Sequence, residues 1–523
     1  MERDHLPLDR QLRQETLFAR ERVYRFGQPT PIERLVLPSS EREDPSAPAP
    51  EIWVKREDLS PVKSYKWRGA CNRMALLTPE EAARGVVTAS AGNHAQGVAM
   101  VAKALGIRAR IYMPRSTPRV KQNAVRHHGG TFVDIRLVGD SYDEAVTAAR
   151  TDENSSGAVY VHAYDDLRVM AGQGTLADEV VLSGRGPFDV AYLQIGGGGM
   201  ASAVANWLKT YWPAISIIGV EGEGQASMKA AMEAGQPVAL SEVDIFCDGT
   251  AVRKAGALPY PICAQTLDRV ETITNAEVSN AIRVLWETLR CISEPSGAMG
   301  LAAVLKNRAS LAGKKVLIVI SGANIDFLQL GLIAQSQGAS TRARTLRIRI
   351  AEQAGTMLRL LDTCFEGINI TDFQYGKHSI TEAAPVFTVT AEDPARLDAL
   401  PALLDASGYQ WEDITGGVDV MFRAIPLRGD LLSFPTFLRL DFYERPGALH
   451  DFLDQQIRGR ASICYFNYRQ SGEQIGRALI GLDFPTEGDH DSFMSSLPPE
   501  HGDGYRSCKP VEGNELRRLS SLG

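Results

Sequence analysis

The chain has 523 residues, which is long enough for two to four domains. Its hydrophobic share of 44% and its charged share of 23% are those of an ordinary soluble globular protein. A formal net charge of −7 at pH 7 argues against a nucleic-acid or anionic-membrane partner, and no apolar run approaches the roughly 20 residues that span a bilayer.

The N-terminus and the cysteines indicate the compartment. The N-terminus lacks the apolar stretch of a signal peptide, and Glu2, Asp4, Asp9 and Glu15 disfavour an organelle transit peptide. The seven cysteines are scattered and never spaced as C-x-x-C, so neither a disulfide framework nor a metal site is expected. The sequence therefore predicts a cytoplasmic protein without a bound metal.

Residues 1–50 are predicted to form an N-terminal arm, because their last dozen residues are rich in turn formers and charge. From residue 51 to residue 335, short apolar runs alternate with helix-like stretches such as residues 94–105. Four of these runs have the pattern of buried strands, namely residues 85–90, 108–113, 190–195 and 316–320. This alternation predicts an α/β catalytic domain over residues 51–335, with a largely parallel sheet covered on both faces.

An internal repeat lies in the C-terminal part of the chain. Residues 352–357 resemble residues 444–449, at an offset of 444 − 352 = 92. Residues 370–375 resemble residues 463–468, at an offset of 463 − 370 = 93. Two matching blocks at nearly one spacing indicate two copies of one module.

Each copy of the repeat has a strand, a helix that opens near its glycine, and further strands after it. This order is typical of the split βαβ, or ferredoxin-like, fold. We therefore expect a linker at residues 336–345, a first module at residues 346–426 and a second module at residues 434–516.

Lys66 is the first candidate catalytic residue. It follows the charged segment at residues 55–58 and precedes residues 67–74, a helix-like stretch with apolar spacing. A lysine amine can form a Schiff base with an aldehyde, and a place near the positive end of a helix favours the unprotonated amine. The alternative for this residue alone is a solvated surface lysine.

Residues 90–97 (SAGNHAQG) follow a predicted strand and open a predicted helix. Small residues there leave backbone N–H groups free at a helix N-terminus, which suits a substrate carboxylate. The residues assigned to this substrate site are Ser90, Ala91, Gly92, Asn93 and His94, and Ser90 is also assigned to catalysis. Asn93 can donate to the phenolic oxygen of a cofactor. The alternative is a turn capped by Ser90 or Asn93, and His94 is expected to pack or hydrogen bond rather than to catalyse.

A glycine-rich loop follows the predicted strand at residues 190–195. It consists of Gly196, Gly197, Gly198, Gly199 and Met200. With Ala201 the loop fits G-x-G-x-x-A, and Glu221 lies 221 − 201 = 20 residues further on, as in a dinucleotide-binding site. Four successive glycines in the middle of the chain favour instead a cup of backbone N–H groups for a single cofactor phosphate.

Residues 321–324 (SGAN) also follow a buried strand, at the end where parallel sheets bind their ligands. Ser321 can meet a pyridine nitrogen, and the alternative is a simple turn. A neutral hydroxyl, unlike a carboxylate, does not keep that nitrogen protonated, which favours expulsion of a β-leaving group over transamination. Glu294, at the start of another helix-like stretch, either lies near the cofactor ring or closes a capping pattern.

An amine, a phosphate cup and a partner for a ring nitrogen together indicate a pyridoxal phosphate enzyme. These motifs, with residues 171–175 (AGQGT), resemble those of the biosynthetic threonine dehydratase (threonine ammonia-lyase) family, of the tryptophan-synthase-β type. The resemblance covers about residue 50 to the C-terminus. It implies Lys66 as the Schiff-base lysine, Asn93 on the cofactor ring, Gly196 to Met200 on the phosphate and Ser321 at the ring nitrogen.

The resemblance also implies an architecture and an activity. The architecture is an α/β catalytic domain of pyridoxal phosphate fold type II, followed by two α+β ferredoxin-like (ACT-like) regulatory domains. The activity is the deamination of L-threonine to 2-oxobutanoate and ammonia, the committed step of isoleucine biosynthesis. Isoleucine is then the feedback inhibitor, valine its antagonist and a homotetramer the expected assembly.

Two departures from the family pattern concern the substrate. The family usually has Phe before the lysine, where this chain has Tyr65, and its Pro-Phe-Asp segment appears here as residues 162–166 (HAYDD). L-Serine is therefore an alternative substrate, and a serine dehydratase or racemase of the same fold type is the alternative enzyme. An alternative of another class is an amino-acid sensor with an inactive catalytic domain.

Overall fold

The computed structural model describes residues 6–38, 41, 48–139, 141–338, 343–351, 353, 355–374, 381–391, 393–415, 417, 432–443, 452–457, 459–469, 475–496 and 506–511. The chain divides into two compact units, Met1–Phe327 and Leu328–Gly523. Among the described residues, none of the helices combines the length and the apolar character needed to cross a membrane.

The helices and strands of the first unit alternate along the chain. Its helices are α1 (Leu8–Val23), α2 (Lys66–Met74), α3 (Pro79–Arg84), α4 (Asn93–Leu105), α5 (Arg119–Gly129), α6 (Tyr142–Ser156), α7 (Leu167–Leu182), α8 (Gly199–Tyr211), α9 (Ser227–Ala234), α10 (Pro259–Thr266), α11 (Asn275–Leu289) and α12 (Pro295–Lys306). Its strands are β1 (Ile32–Leu35), β2 (Glu51–Arg56), β3 (Val86–Ala89), β4 (Ala109–Met113), β5 (Val133–Leu137), β6 (Val159–Tyr160), β7 (Val190–Gln194), β8 (Ser216–Gly222), β9 (Arg269–Ile273) and β10 (Lys315–Ile320).

The strands of the first unit form two sheets rather than one. The larger sheet has the order β1-β2-β10-β7-β8-β9 and is parallel except for β1, which pairs antiparallel with β2. The smaller sheet has the order β5-β4-β3-β6 and is entirely parallel. The central strands β7 and β10 are buried along almost their whole length, as expected for parallel strands covered on both faces.

The segment predicted as an N-terminal arm is part of the first unit where the structure describes it. Helix α1 buries Leu12, Thr16, Ala19 and Val23, whose spacing places them on one helical face. Strand β1 extends the larger sheet. The remaining positions of α1 are mostly charged or polar, which hides this apolar face in the sequence.

The second unit contains two modules of the predicted ferredoxin-like kind. Its helices are α13 (Phe327–Gly338, beginning in the first unit), α14 (Thr356–Cys364), α15 (Pro394–Ala406) and α16 (Glu487–Ser496). Its strands are β11 (Arg344–Ala351), β12 (Asn369–Gln374), β13 (Glu382–Ala383), β14 (Val386–Thr390), β15 (Gln410–Asp413), β16 (Phe434–Tyr443), β17 (Ser462–Arg469), β18 (Ile475–Phe484) and β19 (Ser507–Pro510). The sheet orders β12-β14-β11-β15 and β17-β18-β16-β19 are equivalent, and both sheets are antiparallel.

The two modules also share a local irregularity. The register of β12 shifts between Ile370 and Asp372, and that of β17 shifts between Ile463 and Tyr465. These shifts lie 463 − 370 = 93 residues apart, the offset of the sequence repeat, and β-bulges are specific features of a strand. Some predicted parts lie outside the described residues: the repeat block at 444–449, Tyr375, residues 339–342 of the linker, and residues 418–426 and 512–516 of the modules.

Candidate active site

The candidate site lies where strands of both sheets in the first unit end. Lys66 begins α2 after β2, Asn93 begins α4 after β3, and Ser321 follows β10. The glycine loop joins β7 to α8. All of these line one cleft with about 470 Å³ of empty space, part of it open to solvent.

Lys66 presents its amine inside this cleft. The Lys66 Nζ donates to the carbonyl oxygen of Ala163 at 3.1 Å. Burial lowers the pKa of Lys66 to about 8, although the Glu294 carboxylate acts in the opposite direction. About a tenth of such an amine is unprotonated at pH 7, so it can serve as a nucleophile and as a proton acceptor.

The glycine loop has a shape that only glycine allows. A Cβ at Gly197 would lie 2.2 Å from a ring carbon of Tyr164, and a Cβ at Gly199 would lie 2.8 Å from the Tyr164 carbonyl oxygen. Gly198 adopts φ +91°, in the left-handed region. The backbone N–H groups of residues 196–198 have no acceptor within the described residues, and they lie at the N-terminal end of α8. Free N–H groups at a helix start fit a phosphate.

Ser321 is brought to the cleft by backbone hydrogen bonds to the segment before α2. Its carbonyl oxygen accepts from the Tyr65 N–H at 3.0 Å, and Ala323 N–H donates to the Lys63 carbonyl oxygen at 2.9 Å. Ser321 is 2% exposed, and no partner of its hydroxyl is found in the part of the chain that the structure describes. A hydroxyl without a protein partner, on a residue that lines the cleft, fits a ligand atom such as a ring nitrogen.

The predicted substrate site at residues 90–94 is brought only partly to the cleft. Asn93 lines it, whereas Ser90, Ala91, Gly92 and His94 are not among its lining residues. The Ser90 hydroxyl accepts from the Gly92 N–H at 3.2 Å. The His94 Nε2 lies 2.9 Å from the Val161 carbonyl oxygen, and burial lowers the pKa of His94 to about 3. The His94 ring is therefore neutral at pH 7 and is hydrogen bonded to the backbone.

Glu221 does not have the environment of a ribose-binding acid. Its carboxylate accepts from the backbone N–H groups of Met228 and Lys229, both at 2.8 Å, at the start of α9. Burial raises its pKa to about 7. The side chain is fully buried, so it caps α9 and offers nothing to a dinucleotide.

Other lining residues carry weak or no signal in the sequence. Tyr65, Tyr164, Thr250 and Glu294 all line the cleft. Burial raises the pKa of Tyr164 to about 12, so its phenol is protonated at neutral pH. Glu294 makes no side-chain capping bond to α12, which decides against the capping role considered for it. Tyr65 and Tyr164 occupy the two places where the sequence departs from the family pattern. That departure is the sequence signal from which they could have been found.

These groups match the chemistry of one cofactor. A desolvated lysine amine suits an aldehyde, free N–H groups at a helix start suit a phosphate, and an unpaired serine hydroxyl suits a ring nitrogen. The fold and the site thus define a pyridoxal-phosphate-dependent enzyme of fold type II.

Known sequences and structures agree with this class. The sequence model described as pyridoxal-phosphate dependent enzyme matches residues 23–322, and that described as the C-terminal regulatory domain of threonine dehydratase matches residues 435–506. The chain is 36% identical over 511 residues to the L-threonine dehydratase biosynthetic IlvA of Salmonella typhimurium, covering 96% of this chain and 95% of the relative.

Two solved structures are similar to part of the chain. The processed form of threonine deaminase isoform 2 from Solanum lycopersicum has 35% identity and a TM-score of 0.58, over 63% of this chain and 94% of that one. A maize serine racemase has 28% identity and a TM-score of 0.56, over 63% of this chain and 97% of that one. The chain belongs to the biosynthetic threonine dehydratase family, with pyridoxal phosphate as its cofactor and a C-terminal regulatory domain.

Proposed function

We propose that this chain deaminates L-threonine to 2-oxobutanoate and ammonia, the committed step of isoleucine biosynthesis. The observation that carries the proposal is the Lys66 amine, which shares one cleft with the glycine loop and Ser321. Membership of the threonine dehydratase family supports threonine as the substrate. A lysine in that position can carry the cofactor and also move the Cα proton.

The residues proposed to hold pyridoxal phosphate are Lys66, Asn93, Gly196, Gly197, Gly198, Gly199, Met200 and Ser321. When bound, the cofactor supplies an electron sink for the electron pair left at the substrate Cα. The glycine N–H groups would donate hydrogen bonds to its phosphate at the start of α8. The Ser321 hydroxyl would meet the ring nitrogen as an uncharged partner, so that nitrogen would not be held protonated.

Lys66 is proposed as the general base. Its amine takes the proton from Cα, and the start of α4, where Asn93 lines the cleft, is proposed to receive the substrate carboxylate. Loss of the β-hydroxyl as water leaves an enamine, which tautomerises and hydrolyses to 2-oxobutanoate and ammonia. Desolvation of Lys66 favours the proton transfer, because it keeps the pKa of the amine near neutral pH.

The first test is the visible absorbance of the purified chain, before and after threonine, with 2-oxobutanoate assayed in the same sample. We expect a cofactor band that changes with threonine and keto-acid formation. Lys66→Ala should abolish both the lysine-bound band and turnover, whereas Lys103→Ala, at an exposed lysine of α4, should preserve both. Turnover and an unchanged band in Lys66→Ala would contradict the assignment.

The regulatory part of the proposal is that isoleucine inhibits and valine antagonises through the two C-terminal modules, in a cytoplasmic homotetramer. The match of residues 435–506 to the regulatory domain of threonine dehydratase supports it. A coupling of about 1–3 kcal/mol between effector and substrate sites is sufficient. Deleting residues 340–523 should leave an active unit that no longer responds to isoleucine, and persistent inhibition would move the effector site elsewhere.

Serine is the second candidate substrate. The likeness to a serine racemase and the polar side chains of Tyr65 and Tyr164 in the cleft favour it. The ratio of kcat/KM for threonine and serine decides between the two, and formation of D-serine would identify a racemase. A chain that binds both cofactor and isoleucine but converts neither substrate would be the amino-acid sensor.

A further inference from the structure

Glu294 is a buried carboxylate of the cleft to which the proposed reaction gives no role. It is 3% exposed and lines the cleft together with Lys66. Both of its carboxylate oxygens accept from the Asn93 Nδ2, at 2.8 and 3.0 Å. This contact joins the start of α12 to the start of α4, and so links elements packed on the two different sheets.

The Asn93 side chain is held from its other end as well. Its Oδ1 accepts from the Asn324 Nδ2 at 2.6 Å, and that nitrogen also donates to the Val62 carbonyl oxygen at 2.8 Å. A Cβ at Gly322 would lie 2.5 Å from a carboxylate oxygen of Glu294, so the glycine makes room for the carboxylate. The Asn93 amide is therefore fixed in orientation, with its remaining Nδ2 hydrogen available to a ligand.

The Glu294 carboxylate also faces several ionisable groups. Burial and the neighbouring Asp248 raise the pKa of Glu294 to about 7, against the opposing effects of Asn93, Asn324 and Lys121. The charged or titratable groups that interact with it are Lys121 of α5, Cys247 and Asp248 of the loop after α9, and Tyr65 and Lys66 at the start of α2. The carboxylate therefore changes its charge near neutral pH.

We propose that Glu294 is a positioning residue of the reaction, which fixes the Asn93 amide towards the ligand and presents a carboxylate charge to the Lys66 amine. This inference rests on the proposed function, because it concerns chemistry at Lys66. Protonation of Glu294 removes its negative charge and one of the two oxygens that accept from the Asn93 Nδ2. Activity should therefore rise with pH as Glu294 ionises.

The test compares two buried carboxylates in the full-length holoenzyme. Glu294→Gln should lower kcat by about 10- to 100-fold with a smaller change in KM, since loss of orientation acts on the reacting geometry. It should also remove the part of the rise of activity with pH that is centred near 7, and leave the part that comes from deprotonation of Lys66, whose pKa is about 8. Glu221→Gln is the matched control, because Glu221 is equally buried and has a similarly raised pKa but does not line the cleft. It should keep the rise with pH.

A second readout does not depend on turnover. Because the Glu294 charge favours a protonated nitrogen at Lys66, the pH titration of the lysine-bound cofactor band should shift to lower pH in Glu294→Gln. Asp248→Asn leaves Glu294 in place and should move the rise of activity to lower pH, which covers the case that Glu294→Gln does not fold. An unchanged pH profile and band titration in Glu294→Gln, or an unshifted profile in Asp248→Asn, would overturn the inference about Glu294 and leave the proposed function standing. A wild-type chain without a cofactor band or keto acid would overturn the proposed function as well.

Discussion

A buried ionic network includes Arg68 of α2, the helix that begins at Lys66. Arg68, two residues after Lys66, bonds Glu57 at 2.9 Å and Glu179 at 2.6 and 3.0 Å. Lys55 also bonds Glu179, and the four side chains are almost completely buried. The charges of the two cations and the two anions balance. Burial alone would raise the pKa of Glu57, but the neighbouring Arg68 and Lys55 outweigh this effect and lower that pKa to about 2.

The perturbation is Glu179→Gln, which keeps the shape of the side chain and removes its charge. Lys55 and Arg68 then face a single carboxylate inside the protein, and breaking a buried ion pair costs about 3–5 kcal/mol. With a urea dependence of about 3 kcal/mol per M, the unfolding midpoint should fall by about 1–1.7 M. Tryptophan fluorescence is a suitable assay, because Trp411 is the only one of the six tryptophans outside the first unit.

The matched control is Glu21→Gln on α1. Glu21 pairs with Arg25 at the surface, with both side chains mostly exposed, so its loss should leave the midpoint unchanged. Equal midpoints for Glu179→Gln and Glu21→Gln would refute the reasoning, because the network would then be as well screened as a surface pair.

Three further predictions use the same preparations. Gly197→Ala should weaken cofactor binding about ten- to hundredfold in an absorbance titration, because its methyl group would overlap the Tyr164 ring. Leu12→Ala should lower the stability of the first unit by about 2–5 kcal/mol in the urea assay, because α1 contributes to its core. Burial lowers the pKa of His94 to about 3 in the folded chain, against 6.5 in the unfolded chain. Its contribution to the free energy of unfolding is therefore fully present above pH 6.5 and is lost as the pH falls, because only the unfolded chain then binds the proton. Between pH 7 and pH 5 the loss should be about 2 kcal/mol, and His94→Asn should remove this part of the pH dependence of the urea midpoint.

Much of the fold could be predicted because its strands have a strong local signal. The run at residues 316–320 became β10 and that at residues 190–195 became β7, since short runs of mostly apolar residues suit strands buried on both faces. The sheet order is not local information. For this reason the sequence predicted one largely parallel sheet, whereas β3 to β6 pair among themselves in a second one.

The site could be predicted in part for a similar reason. Ser321 and the glycine loop each follow a strand of the larger sheet, and parallel sheets gather such positions at one edge, whereas Asn93 follows β3 of the smaller sheet. The partnership of Asn93 with Glu294 joins residues 201 positions apart, and nothing in either local sequence specifies it. Long-range side-chain pairs of this kind depend on how the two sheets face each other.

The two interpretations of the glycine loop predict the same local geometry, and only the surrounding residues distinguish them. Both require a loop between β7 and α8 with free N–H groups, and both find an acid at the end of β8. They differ in whether that acid is available to a ligand. Both oxygens of the Glu221 carboxylate accept from backbone N–H groups in the first turn of α9. The loop lines the same cleft as the Lys66 amine, and an amine can bind the aldehyde of a cofactor that carries a single phosphate, whereas hydride transfer needs no such amine.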